Sequence, residues 1–84
     1  MNLSKFNKKP LEQRADIIVR HGVYLAVRYR SQFVIRLYCV GPYFAEVWYE
    51  PRRDRFVLVR ILNEAVGLKP YLEMVDISEV LPAA

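Results

Sequence analysis

Hydrophobic and polar residues alternate from Val23 to Leu62, and the alternation breaks at three short intervals. It predicts four β-strands in succession. The first runs from Val23 to Tyr29 or Arg30, where Val23, Leu25, Val27 and Tyr29 alternate with Tyr24, Ala26, Arg28 and Arg30. The second is Phe33 to Val40, the third Tyr43 to Glu50 and the fourth Phe56 to Leu62. Ahead of them Leu11, Ala15, Ile18 and Val19 fall at i, i+4, i+7 and i+8, which places them on one helical face. Pro10 suits the first turn, Glu12 and Asp16 lie early and Arg20 and His21 late, and Gly22 suits a left-handed stop. A helix is expected over 10–21.

The inner face of the sheet follows from the cost of burying unpaired charge. In the third strand Ala45 and Val47 point inward, because the other parity buries Glu46 and Glu50. In the fourth, Val57, Val59 and Ile61 point inward, because the other parity buries Arg60. In the second, Phe33, Ile35, Leu37 and Cys39 form the apolar side. Matching that side to the first strand favours a three-residue connection, Arg30-Ser31-Gln32, which pairs Tyr29 with Phe33 and Val27 with Ile35. A two-residue turn at Ser31-Gln32 mixes the faces.

Four strands joined by tight turns make an antiparallel meander. The fold class is therefore α+β, an N-terminal helix packed on a four-stranded antiparallel meander. Residues 1–9 are polar apart from Met1, Leu3 and Phe6 and read as a loose arm, unless those residues dock onto the core. Residues 10–84 read as one domain. After the sheet, Asn63 to Leu68 reads as a connection or a short helical turn, Leu68 to Leu72 suits another, and Asp76 to Pro82 fits a short helix, an edge strand or an ordered tail equally well.

Composition adds three constraints. The chain has 84 residues, 54% of them hydrophobic, which supports a thin core that often needs a second copy to complete its burial. One cysteine, Cys39, excludes an intrachain disulfide and suits a reducing cytoplasm. No apolar run approaches a membrane span. The net charge of +4 is uneven: residues 1–63 hold twelve Lys/Arg against five Asp/Glu, whereas residues 64–84 hold Lys69 against Glu64, Glu73, Asp76 and Glu79.

Candidate chemistry is sparse. The single His21 suits a helix end rather than a catalytic triad. Cys39 and His21 do not make a zinc site, and Gly22, Gly41 and Gly67 do not make a phosphate loop. Glu46 and Glu50 lie roughly 13 Å apart along a strand, too far for a carboxylate pair, and Glu46 reads as a cross-strand partner of Arg36. No cofactor and no enzymatic activity are expected.

What remains is the predicted outer face of the sheet: Tyr24, Arg28, Arg36, Tyr38, Phe44, Trp48, Phe56, Leu58 and Arg60. Aromatics with arginine are typical of interface centres. The expected role is a protein-interaction module that self-associates through this face. Residues 63–84 are a further candidate cover, and single-stranded nucleic acid, with bases stacked on aromatics, is the alternative partner.

The run Phe33 to Val40, then Phe44-Ala45-Glu46-Val47-Trp48-Tyr49, then Asp54-Arg55-Phe56 resembles a type of short bacterial α+β protein without an assigned activity. In that type too a helix ending near Gly22 precedes the sheet, and a segment like Tyr71-Leu72 to Asp76-Ile77 follows it. The resemblance covers most of residues 11–80. It implies the same fold and a bacterial cytoplasmic setting, and no chemistry.

Overall fold

The computed structural model of the chain describes residues 2–62. The expected partly helical segment after the sheet lies outside them. The order is helix α1 (Leu3–Asn7), helix α2 (Leu11–His21), strands β1 (Val23–Arg30), β2 (Phe33–Val40) and β3 (Tyr43–Glu50), a single 3-10 turn (Pro51–Arg53) and strand β4 (Arg55–Leu62). The strands form one antiparallel sheet in sequence order, β1-β2-β3-β4. This is the α+β meander that the alternation predicts.

Of the two expectations for residues 1–9, a loose arm or docking onto the core, the structure has the second, and most of that stretch is a helical turn. The Asn2 side chain caps it by accepting from the Lys5 amide at 3.2 Å. Phe6, only 2% exposed, joins Ala15 and Ile18 of α2 in the main core. One large aromatic is enough to dock the segment. Pro10 precedes α2 rather than starting it, and its carbonyl accepts from the Arg14 amide at 3.0 Å. Gly22 is not left-handed: its backbone is extended, with φ −83° and ψ 161°. It is small for a different reason. A Cβ there would meet the Ile18 carbonyl oxygen at 2.6 Å and the Val40 and Tyr38 side chains at 3.0 and 3.1 Å.

Both helices contribute to a core on one face of the sheet, built on Tyr38 and Val40 of β2, Ala45 and Val47 of β3 and Val59 of β4, with Phe56 and Ile61 beside them. The β3 and β4 parities follow the charge argument in Ala45, Val47, Val59 and Ile61. The β2 parity is inverted. Gly41-Pro42 is a two-residue turn with Gly41 at φ +57°, so Val40 pairs with Tyr43 and Tyr38 with Ala45. The helix side of β2 is therefore Val34, Arg36, Tyr38 and Val40, and Ile35 and Leu37 face away.

The β1–β2 register also differs from the expected three-residue connection. Ser31 adopts φ 55°, and Arg30 pairs with Phe33 across the two-residue turn. The faces mix as that turn implies, with Arg28 opposite Ile35 and Arg30 opposite Phe33, and the ladder slips between Tyr24 and Ala26. A bulge there puts one extra residue into β1 and reverses its alternation. A second irregularity, opposite Trp48 and Tyr49, leaves Val57 out of the pairing and sets Phe56 opposite Tyr49. Phe56 thus lies on the helix side, where its ring meets that of Tyr49 edge-on at 5.5 Å.

Candidate functional site

The nine predicted outer-face residues divide between the two faces. Arg28, Phe44, Trp48, Leu58 and Arg60 lie on the face turned away from the helices, as expected. Tyr24, Arg36, Tyr38 and Phe56 lie on the helix side, displaced by the β2 inversion and the two bulges. The expected Arg36–Glu46 pair therefore does not form.

Glu46 is instead the centre of a charge cluster on the far face. It is 1% exposed, and Glu50 is also buried, although both were placed outward to keep them in water. Each has a cationic partner. The Arg28 Nη2 donates to Glu46 Oε2 at 3.0 Å, the Arg60 Nε lies 3.8 Å from Oε1, and the Trp48 indole N–H donates to Oε1 at 3.3 Å. Arg55 donates to Glu50 at 3.1 Å, and Arg53 lies 3.9 Å from it. Burial of a carboxylate is tolerable when it is paired and hydrogen-bonded.

Ile35, fully buried, stands between Arg28 and Trp48 in one row of the sheet. Arg28 approaches from β1 and Trp48 from β3, and the guanidinium lies over the indole at 5.6 Å. Phe33 adds a tilted ring contact with Trp48 at 5.7 Å. The Arg28 side chain keeps only 13% of its exposure. Its hydrogen-bonding and stacking capacity is directed largely inward.

Exposed apolar surface is concentrated elsewhere. α2 packs chiefly on β4, and also on β2 and β3, more than on β1. Val23, Tyr24 and Tyr29 of β1 are 64%, 51% and 71% exposed. The bulge brings Tyr24 and Tyr29 to the same face, where Tyr24 rests edge-on against Tyr38 at 5.8 Å. Exposed Arg36 and half-buried Val34 lie beside them on β2. Sequence reasoning included Tyr24 but missed Tyr29, which strict alternation assigned to the core. Gly41-Pro42, read as a two-residue turn, was the signal that fixes the β2 side.

Two tyrosines have raised pKa values. Burial raises that of Tyr38, with nearby Arg36 opposing. The hydrogen bond from the Tyr49 hydroxyl to the Asp54 carboxylate raises that of Tyr49. Cys39 is a free, half-buried thiol whose Sγ lies 3.6 Å from the Gly41 carbonyl oxygen. Among the described residues no three His, Cys, Asp or Glu side chains gather as a metal site, and no helix is long and apolar enough to cross a membrane. A groove of about 390 Å³ runs along the outside of α2, lined by Lys9, Glu12, Gln13, Asp16 and Ile17.

Comparison with family models, curated proteins and solved structures finds no match to this chain.

Proposed function

We propose that this chain is a non-enzymatic protein-interaction module that self-associates, and that its contact surface is the β1 margin of the helix-bearing face. One observation carries the reading: of the five exposed large hydrophobics among the described residues, Tyr24 and Tyr29 stand together on the helix side of β1, while α2 packs chiefly on the other strands. Large apolar side chains grouped at one edge are a usual mark of an interface. The strip also suits a second copy. It holds both tyrosine rings and the Arg36 guanidinium, which stacks on aromatic faces. In an isologous contact each copy supplies what the other receives. The Arg28 and Arg30 side chains and the bulge blunt direct strand-to-strand pairing along β1, so the contact is face to face.

A nucleic-acid role draws less support. Of the arginines on the far face, Arg28 and Arg60 both flank Glu46, which cancels one of their charges. The lone thiol and the resemblance to short bacterial proteins support a bacterial cytoplasmic setting.

Sedimentation equilibrium of the full chain across the micromolar range tests self-association. A dimer is expected, and the Tyr24→Ser/Tyr29→Ser double variant should weaken it at least tenfold without loss of helical or sheet signal. A wild-type mass that stays monomeric over that range refutes the proposal.

A further inference from the structure

The two ends of the sheet differ in charge. The β2–β3 turn, Gly41-Pro42, carries none. The β1–β2 and β3–β4 turns lie together at the other end, and around them stand Arg30, Arg52, Arg53 and Arg55, all exposed. Register fixes their order. Arg30 is opposite Phe33, Glu50 is opposite Arg55, and the Val34–Tyr49 pair sets Phe33 beside Glu50. Arg30 and Arg55 therefore close this row from the two outer strands, about 14 Å apart. The β3–β4 turn is held in place. Asp54, at φ 47°, donates its amide to the Pro51 carbonyl at 3.2 Å, and its carboxylate accepts from the Tyr49 hydroxyl.

Two acids do not balance these four arginines. Asp54 is engaged by Tyr49. Glu50 meets two guanidiniums through one oxygen, Oε1, with the Arg55 Nε at 3.1 Å and the Arg53 Nε at 3.9 Å. Both arginine side chains stay more than half exposed, and the Arg55 Nη nitrogens make no hydrogen bond among the described residues. The Arg30 and Arg52 side chains have neither a hydrogen bond nor an ion pair there. We infer that this end of the sheet binds an acidic segment of a partner protein, with Arg30, Arg52, Arg53 and Arg55 as its contacts. A guanidinium matches a carboxylate in shape as well as charge. The fixed turn lowers the ordering cost of binding. An extended segment rises about 3.3 Å per residue, so about five residues cross the row. Nucleic acid fits less well. Bases need open ring faces to stack on, and Trp48 already has Arg28 over it at 5.6 Å and Phe33 tilted against it at 5.7 Å. The surface needs no dimer, so it and the self-associating β1 strip stand or fall separately.

Fluorescence anisotropy of fluorescein-labelled hexaglutamate, titrated with the full chain, tests the inference. Binding is expected at low ionic strength and should weaken as salt rises to about 0.15 M. Arg52→Glu should weaken it about fivefold or more. Arg52 is exposed and makes no contact that holds the fold, so this variant should keep the wild-type circular dichroism. Arg20→Glu makes the same change in net charge at the opposite end of the sheet, where α2 leads into β1, and should leave the affinity within about twofold. Failure of the wild-type chain to bind hexaglutamate overturns the inference. Equal losses in the two variants also overturn it, because net charge alone would then explain the binding. An oligothymidylate of the same length that binds more tightly than hexaglutamate overturns it in favour of nucleic acid.

Discussion

Replacement of Glu46 by alanine probes the cluster that sequence parity placed in water. Removing one member of a buried ion pair typically costs 3–5 kcal/mol, because the partner stays behind in a low dielectric. Two details place Glu46 near the lower end. The Arg60 side chain is 52% exposed, so its share of the interaction is screened and amounts to under about 1 kcal/mol. The Arg28 side chain, at 13% exposure, supplies most of the penalty. A loss of about 3 kcal/mol is expected. With a urea slope of about 1–3 kcal/mol/M, the unfolding midpoint should fall by roughly 1–3 M. Circular dichroism is the suitable signal, because the fluorescence of the adjacent Trp48 would change for local reasons as well. Arg28→Met/Glu46→Leu should recover most of the loss, since matched apolar replacements of a buried pair are often neutral or better. A cost below about 1 kcal/mol for Glu46→Ala, or a double variant no more stable than the single, would refute the buried-pair reasoning.

Three further outcomes follow from the same packing. Phe6→Ala should cost about 3–5 kcal/mol in chemical denaturation, whereas a loose arm would leave the midpoint unchanged. Gly22→Ala should destabilise by about 1–3 kcal/mol, because the Ile18 carbonyl 2.6 Å from the new Cβ is backbone and must move; an unchanged melting temperature would contradict this close approach. In an ultraviolet titration Tyr38 and Tyr49 should ionise above the ordinary value of 10.0. Their folded-state pKa values exceed the unfolded ones, so the stabilisation is complete below about pH 10. It should be lost as the pH rises through the folded values, and stability that rises with pH in that range would reverse the sign.

Local chemistry made much of this molecule legible. The positions of α2 and the four strands, the antiparallel meander and the inward placement of Ala45, Val47, Val59 and Ile61 follow from periodicity and the cost of buried charge. Those signals involve neighbouring residues or one face at a time. Strict alternation failed where the backbone adds a residue. The bulge at Tyr24–Ala26 and the irregularity near Val57 each reverse parity, and no side-chain pattern announces them. They moved Val23, Tyr24 and Phe56, and the turn at Gly41-Pro42 moved Arg36 and Tyr38.

The tertiary structure alone decided which charges could be buried. Glu46 looked outward by cost because its partners were unknown. Arg28 is eighteen residues away in sequence and reaches it from β1, across β2, once the sheet has formed. The same holds for Phe6, whose burial depends on a cavity edge made by α2 and the sheet. Sequence by itself set the elements and their order, because these depend on local propensity and period. Register, bulges and long-range charge pairing set the faces, and through them the surface left open for a partner.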